Sequence, residues 1–226
     1  MNQGRLTLED TIKLAVVGAG LVGRRHIEVI QQSSQVELAA IVDPNVSDDF
    51  TAPVFKNLAA MFGSMKVDGV VVSTPTLLHV DGALQCISEN VAVLIEKPLA
   101  TSVSEARTMV QAAAKAGVPI LVGHHRRHNP IIKQAKTLIE KGTLGSIRGI
   151  QATCWFYKPD DYFDVAPWRK EPGAGPISVN MVHDVDLVRH FCGEVVSVQA
   201  QMAPSIRGYA NEDLGATLLR FESGAL

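Results

Sequence analysis

The sequence has few of the features that mark secreted, membrane-spanning or nucleic-acid-binding proteins. Only three of its 226 residues are cysteine, and Cys86, Cys154 and Cys192 lie far apart and outside any CxxC pattern. This spacing argues against a disulfide framework or a zinc site and favours a reducing, cytoplasmic setting. Lysine and arginine number 21 against 23 acidic residues, so there is no basic surplus to bind nucleic acid or an anionic membrane.

Long apolar runs are also missing. No run approaches the ~20 residues that a membrane helix needs, and the polar segment Met1 to Thr11 lacks the apolar core of a signal peptide. Hydrophobic residues make up 46% and charged residues 19% of the chain, as in globular proteins with one large or two ordinary domains. We therefore expect small molecules or other subunits as partners, with no nucleic acid and no membrane.

The first half of the chain alternates apolar strands with helices, which is typical of a doubly wound parallel α/β sheet of the Rossmann type. A capping box, Ser102-Val103-Ser104-Glu105, opens the last of these helices, which runs to about Ala116. The other predicted helices are Leu21 to Gln32, Leu58 to Phe62 and Thr76 to Glu89. The predicted strands are Lys13 to Val17, Glu37 to Val42, Gly69 to Ser73, Val91 to Ile95 and Val118 to Val122.

A glycine turn follows the first strand and has the spacing GxGxxG. Gly18 permits the tight turn, Gly20 lets the backbone approach a pyrophosphate, and Gly23 lets the next helix pack closely on the strand. Leu21 and Val22 open that helix, whose N-terminal amides and dipole would face the phosphates. The turn predicts a dinucleotide site.

Asp43 ends the second strand, twenty residues after Gly23. A carboxylate at this place can accept hydrogen bonds from both adenosine ribose hydroxyls, and it would repel a 2′-phosphate by about 1 to 4 kcal/mol. NAD is therefore expected as the cofactor, and NADP is less favoured, although Arg24 and Arg25 are close in sequence. The alternative is that Asp43 is only a turn residue before Pro44.

Two further strand ends should face the same crevice, because ligands bind at the carboxyl ends of parallel strands. They are Ser73-Thr74-Pro75 and Glu96-Lys97-Pro98, which we assign to the cofactor site. Lys97 stands where a buried strand emerges, so it is a candidate catalytic group, with a surface lysine as the alternative. The Lys97-Pro98 peptide is expected to be cis. His79, one turn into the next helix, is a further cofactor candidate, unless it is packed or on the surface.

At His124 the composition changes, which places a domain boundary between residues 1–124 and 125–226. Three histidines in the run His124 to His128 suggest a metal, but no nearby carboxylate or cysteine completes a site, so none is predicted. Asn129-Pro130 should begin a helix that ends near Lys141. The remaining pattern predicts an α+β domain with an open, largely antiparallel sheet. Its strands would be Ser146 to Tyr157, Val195 to Met202 and Leu214 to Phe221, with a loop at Lys158 to Gly175 and a helix at Val179 to Phe191.

Several motifs in this order resemble the Gfo/Idh/MocA oxidoreductase family. They are the glycine turn, Glu96-Lys97-Pro98, Gly123-His124-His125-Arg126, Trp168-Arg169 and Asn180-x-x-His183-Asp184-x-Asp186. The resemblance implies a Rossmann domain, a second domain with an open sheet that forms homo-oligomers, and NAD(P)-dependent chemistry on sugars, polyols and related hydroxy compounds. It also implies that Lys97 orients the reacting oxygen and that His183 takes the hydroxyl proton.

The resemblance further suggests a substrate-binding set of Lys97, Arg126, Trp168, Arg169, Asn180 and His183, although Trp168 and Arg169 have packing and loop alternatives. The family pattern has an aspartate four residues before the histidine, where this chain has Val179, with Asn180 next to it. Asn180 cannot act as a base, so Asp184 or Asp186 would orient His183 instead.

The sequence ends two residues after the turn Ser223-Gly224, so the second sheet is expected to be incomplete compared with the family. The leading hypothesis is a dehydrogenase that transfers a hydride between NAD and a carbinol carbon of a small polyhydroxylated substrate. The alternative is an NAD-binding sensor module that has no turnover.

Overall fold

The computed structural model describes residues 11–46 and 50–226. The expectation that the segment Met1 to Thr11 lacks a signal-peptide core concerns, apart from Thr11, residues outside these ranges. The chain divides into two compact units, 1–123 and 124–226. Within the described ranges, no helix has both the length and the apolar character needed to cross a membrane.

The first unit is built on one six-stranded parallel sheet with helices between the strands. The strands are β1 (Ile12–Val17), β2 (Val36–Val42), β3 (Val54–Phe55), β4 (Gly69–Val72), β5 (Ala92–Ile95) and β6 (Ile120–Val122). The helices are α1 (Leu21–Gln32), α2 (Leu58–Ser64), α3 (His79–Ser88) and α4 (Val103–Ala116), with a 3₁₀ turn at Thr76–Leu78.

The strand order is β3-β2-β1-β4-β5-β6. It reverses direction between β1 and β4, and the crevice outside such a reversal is where doubly wound sheets bind ligands. Alternate residues of the central strands enter two separate cores, as the period of a strand requires. Ala15 and Val17 lie in one core, while Val16 and Ile41 lie in the other, all less than 9% exposed. The predicted Rossmann-type sheet is confirmed.

Local signals explain several helix ends. Ser102 Oγ accepts from the Glu105 amide at 3.3 Å, and the Glu105 carboxylate accepts from the Ser102 amide at 3.1 Å, so the predicted capping box is present. Gly117, with φ of +68°, ends the same helix in the left-handed conformation that glycine adopts without strain. The short strand β3 was not predicted, because two residues carry no periodic signal.

The second unit has six helical segments and one antiparallel strand pair. In chain order, the helical segments are a 3₁₀ turn at His125–His128, α5 (Pro130–Glu140), α6 (Asp160–Asp164), a 3₁₀ turn at Pro167–Lys170, a π-helical turn at Ile177–Met181, and α7 (Val182–Cys192). The strands are β7 (Val195–Pro204) and β8 (Glu212–Phe221). Val188, Cys192, Phe221 and Ala225 form its buried core.

The predicted strand Ser146 to Tyr157 is wrong. That segment is extended, but it has regular backbone pairing only near its start, where Ile150 and Arg148 exchange two hydrogen bonds with Leu226. The side chains of Trp155, Phe156 and Tyr157 are 62 to 83% exposed. An apolar run becomes a strand only when a neighbouring strand satisfies its amides and carbonyls, and between Gln151 and Tyr157 the structure describes no such ladder.

Candidate functional site

The glycine turn after β1 is shaped by close backbone contacts that exclude larger residues. Gly18 has a φ of +88°, and a Cβ there would lie 2.9 Å from backbone atoms of Ser73 and Thr74. At Gly23, a Cβ would lie 1.8 Å from the carbonyl oxygen of Gly18. Among the described residues, by contrast, no heavy atom comes within 4 Å of a Cβ added at Gly20. The turn therefore packs against the protein at two glycines and opens outward at the third.

The N-terminus of α1 lies at this open side. Gly20 is its N-cap residue and makes no side-chain capping hydrogen bond, while Leu21 and Val22 of the first turn are 71% and 43% exposed. The first amides of a helix need a partner from outside the helix, and together with the helix dipole they favour an anion. The residues present therefore fit a pyrophosphate approaching Gly20.

Asp43 lies at the tip of β2 beside the same turn. Its Oδ2 accepts from the amide of Ala19 at 2.8 Å, and its Oδ1 accepts from the amide of Asn45 at 2.9 Å. A carboxylate has about four acceptor positions, so both oxygens can still accept ribose hydroxyls. Asp43 thus links the glycine turn to the place where an adenosine ribose would bind.

Two cationic side chains come from segments adjacent to the glycine turn and to the end of β2. Lys56 Nζ donates to the carbonyl oxygen of Pro44 at 3.0 Å, and the Arg24 guanidinium lies 5.0 Å from the centroid of the Phe50 ring. Neither side chain pairs with Asp43 in these contacts. Both are candidates to interact with a phosphate on the ribose, so the choice between NAD and NADP depends on how far they offset the charge of Asp43.

Ser73 and Thr74 have different roles at the end of β4. The Ser73 hydroxyl lies 3.0 Å from the carbonyl oxygen of Val17 and 2.8 Å from that of Gly18, so it supports the turn. Thr74 Oγ1 is buried and finds no hydrogen-bond partner within residues 11–46 and 50–226. A buried hydroxyl without a hydrogen-bond partner costs free energy. A bound dinucleotide would supply such a partner. Pro75 is exposed at the end of this segment.

Glu96 holds the loop that carries Lys97. Its Oε1 lies 2.9 Å from His26 Nε2, and its Oε2 accepts from the Lys97 amide at 3.2 Å. Burial raises the pKa of the Glu96 carboxyl, but these hydrogen bonds and the nearby charges of His26 and Lys97 together more than offset it, so the pKa lies below its ordinary value. A Cβ on Gly123 would lie 3.0 Å from this carboxyl group. His26 was not identified from the sequence, and Gly123 was identified only as part of the run Gly123-His124-His125-Arg126.

Lys97 is half-buried at the end of β5, and the peptide bond between Lys97 and Pro98 is cis, as predicted. His79 is only 1% exposed. Its Nδ1 lies 3.0 Å from the carbonyl oxygen of Pro98, and its Nε2 lies 2.9 Å from that of Thr74. Both ring nitrogens of His79 therefore face the backbone.

Two arginines of the run His124 to His128 form ion pairs with carboxylates of α7. Arg126 donates to Asp184 at 2.7 Å, and Arg127 forms a two-pronged contact with Asp186 at 2.8 and 2.5 Å. These carboxylates, which the sequence suggested as partners of His183, each pair with an arginine. Asp186 also raises the pKa of Arg127. Within the described part of the chain, no three histidine, cysteine or acidic side chains gather into a metal-binding group.

His183 is 8% exposed and lies in the first turn of α7. Its ring meets that of His125 edge to face, with centroids 5.0 Å apart. Asn180 lies in the π-helical turn before α7 and lines a cavity of about 260 Å³. Lys158, Tyr162, Arg207 and Glu212 line the same cavity. The second unit therefore places Asn180 beside aromatic and charged side chains.

Trp168 and Arg169 form a local cluster. The Arg169 guanidinium lies 3.9 Å from the centroid of the Tyr162 ring and 5.7 Å from that of Trp168, and it donates to the Tyr162 carbonyl at 2.6 Å. Asn211 donates to the Arg169 carbonyl at 2.7 Å. Arg169 thus connects the loop to the segment before β8, and Tyr162, which the sequence did not single out, supplies the aromatic surface.

Comparison with known proteins identifies relatives of both units. The family model described as "Oxidoreductase family, NAD-binding Rossmann fold" matches residues 12–124, and the model "GFO/IDH/MocA C-terminal domain" matches residues 132–226. The crystal structure of the WlbA dehydrogenase from Bordetella pertussis in complex with NADH and UDP-GlcNAcA superposes with a TM-score of 0.89. It is 31% identical, and the match covers 96% of this chain and 69% of that one.

Two curated relatives differ in the activity that their names give. The 2,7-anhydro-N-acetylneuraminate hydratase of Escherichia coli is 28% identical over 95% of this chain and 60% of its own length. The myo-inositol 2-dehydrogenase of Thermotoga maritima is 27% identical over 95% of this chain and 66% of its own length. The chain thus spans about two thirds or less of these relatives.

Proposed function

The chain belongs to the Gfo/Idh/MocA family of oxidoreductases, and from this membership we propose that it is an NAD-dependent dehydrogenase. Its substrate would be a small polyhydroxylated compound, namely a sugar, a polyol or a related hydroxy acid. A hydride would pass between a carbinol carbon of this substrate and the nicotinamide, and the hydroxyl proton would pass to the protein.

The observation that carries the proposal is the arrangement of the glycine turn. The open backbone at Gly20, the uncapped N-terminus of α1 and the free acceptor positions of Asp43 lie around one strand reversal. The first two features fit the pyrophosphate of a dinucleotide, and the third fits its adenosine ribose. Thr74 Oγ1 adds a buried hydroxyl that needs a partner.

NAD is the proposed cofactor because the Asp43 carboxylate would lie next to a 2′-phosphate. Repulsion between the two would cost about 1 to 4 kcal/mol at surface-like screening. Lys56 and Arg24 would reduce this cost for NADP. A preference for NAD over NADP should therefore be present and should decrease in Asp43→Asn, whereas Lys56→Ala should strengthen it.

Lys97 and His183 are the proposed catalytic pair. The Lys97 ammonium would donate to the substrate oxygen and stabilise the negative charge that develops on it. His183, as a neutral imidazole, would accept the hydroxyl proton as the C–H hydride leaves. The bound nicotinamide supplies the hydride acceptor. Asn180 would position a further hydroxyl, while Arg126 and Arg169 would act mainly through the contacts that hold their loops.

A homo-oligomer and a cytoplasmic setting complete the proposal. The two strands β7 and β8 expose the apolar side chains of Val198, Met202 and Leu218, which are 52 to 69% exposed, so a second copy could cover them. All three cysteines are free, as expected in a reducing compartment.

The test is a substrate screen on the full chain. Wild-type protein is incubated with NAD⁺ or NADP⁺ and a panel of sugars, polyols and hydroxy acids, and reduced cofactor is measured. Product analysis then separates net oxidation from hydration. We expect Lys97→Met and His183→Asn to lose at least a hundredfold in kcat, and His183→Asn to keep its affinity for NADH. Lys115→Met, a change in the exposed last turn of α4, should behave like wild type.

Two outcomes would overturn the proposal. One is undiminished turnover in Lys97→Met. The other is dinucleotide binding without turnover across the whole panel, which would favour the sensor alternative.

A further inference from the structure

His79 is a buried polar residue whose position has no role in the chemistry proposed above. It begins α3, is 1% exposed, and lies among the largest side chains of the buried core. A histidine in such a place costs free energy unless its nitrogens are hydrogen-bonded. Each nitrogen lies within hydrogen-bonding distance of a carbonyl oxygen, at 3.0 Å from that of Pro98 and at 2.9 Å from that of Thr74.

The two carbonyls belong to different loops. Thr74 follows β4, and Pro98 follows β5, at the carboxyl ends of neighbouring parallel strands. The backbone pairing of these strands ends where the Glu96 amide donates to the Val72 carbonyl at 2.9 Å. Beyond that point the strands diverge into loops, and the His79 ring spans the loops at the level of Thr74 and Pro98.

We infer that His79 is a positioning residue, which fixes the spacing between Thr74 and the Lys97-Pro98 peptide and so holds the proposed cofactor and catalytic groups in register. The inference rests on the proposed function, because it assigns a purpose to that register. His79 does not touch substrate or cofactor in this role. It acts on Lys97 through the adjacent carbonyl of Pro98 and on the cofactor through Thr74.

Other side chains cannot reproduce this bridge. The two imidazole nitrogens point in different directions from one rigid ring, so each faces an acceptor in a different loop. A neutral ring carries one N–H and a protonated ring carries two, so the ring always donates to at least one carbonyl. Asparagine at position 79 could reach one carbonyl, and phenylalanine could fill the space but donate to neither.

The experiment compares His79→Phe with Cys86→Ala in the full chain. Cys86 is fully buried on the same helix, and shortening it creates a cavity without changing either loop. Both variants should lower the midpoint of thermal unfolding. Below that midpoint, only His79→Phe should lose kcat, by about tenfold to a hundredfold for a displacement near 1 Å, with a smaller change in the KM for substrate. His79→Asn should recover part of the loss.

Amide hydrogen exchange of the cofactor-free proteins tests the bridge separately. Exchange should accelerate at residues 74–78 and 97–100 in His79→Phe and stay at the wild-type rate there in Cys86→Ala. If the wild type turns over no substrate, the proposed function fails, and the exchange data still decide whether His79 connects the loops. The inference would be overturned if amide exchange in His79→Phe equalled that of wild type, or if the kcat of His79→Phe stayed within twofold of wild type. It would also be overturned if Cys86→Ala lost as much kcat as His79→Phe.

Discussion

Gly23→Ala tests the glycine turn most directly. An added Cβ would lie 1.8 Å from the carbonyl oxygen of Gly18 and 2.9 Å from its carbonyl carbon. Ordinary contacts of carbon begin near 3.5 Å, so α1 and the turn would have to separate by about 1.5 Å. Both opposing atoms belong to the backbone, so no change of side-chain rotamer relieves the contact.

The expected cost follows from this displacement. Overpacking of a close-packed interior costs about 1 to 3 kcal/mol, and a backbone contact without an adjustable side chain should fall at the upper end. The free energy of unfolding should therefore drop by about 3 kcal/mol in Gly23→Ala. Affinity for NADH should fall at least tenfold, because the N-terminal amides of α1 move away from the phosphates.

Two matched glycines separate stability from binding. At Gly20 the backbone φ of −71° suits alanine, and the space described around its added Cβ is open. Gly20→Ala should keep its free energy of unfolding within about 0.5 kcal/mol but bind NADH more weakly, because the methyl group would meet the pyrophosphate. Gly63→Ala, at an exposed position of α2, should gain about 0.5 to 1 kcal/mol and bind NADH normally.

The assays are urea unfolding and NADH fluorescence titration on the four proteins. The reasoning is refuted if Gly23→Ala unfolds like wild type, since the contact distances leave no room for a methyl group. It is also refuted if Gly20→Ala keeps wild-type affinity, since the pyrophosphate would then not approach that glycine.

Two further predictions concern ion pairs. Glu96 has a pKa below its ordinary 4.5 in the folded protein, so the unfolded chain takes up the proton first as pH falls, and stability present at neutral pH is lost through and below 4.5. Urea unfolding between about pH 6 and pH 3 should show a smaller loss in Glu96→Gln than in wild type, and parallel curves would contradict this. Asp186→Asn should cost about 2 kcal/mol, because the carboxylate is 6% exposed although Arg127 is 40% exposed. Glu194→Gln, in the exposed pair with Arg189, should cost almost nothing, and equal losses in the two variants would refute the role of burial.

Local signals predicted much of the first unit. The glycine turn and the apolar spacing placed α1 at Leu21–Gln32, the bounds that the structure has. The capping box placed the start of α4, and the strand alternation gave the parallel sheet. These features depend on neighbours within a few residues, which a sequence displays directly.

Contacts between distant residues were not predictable in the same way. His26 and Glu96 are 70 residues apart, and Arg126 and Asp184 are 58 apart. Nothing in the local pattern of either residue indicates its partner. The strand prediction for Ser146 to Tyr157 was wrong for a related reason. The apolar residues of this segment suit a strand, but backbone pairing requires a neighbouring strand that is distant in sequence.

The π-helical turn at Ile177–Met181 changes how positions before His183 should be compared with those of relatives. Each residue advances an α-helix by about 100°, and one residue more in a turn shifts the phase of everything before it. The amide of Val182 bonds to the carbonyl of Ile177, five residues back, which is such an extra residue. Removing one residue here would turn Pro176 and its predecessors by about 100° relative to His183. Spatial equivalence across this turn is therefore not given by counting residues, and the absence of an aspartate at position 179 does not by itself define which side chain neighbours the histidine.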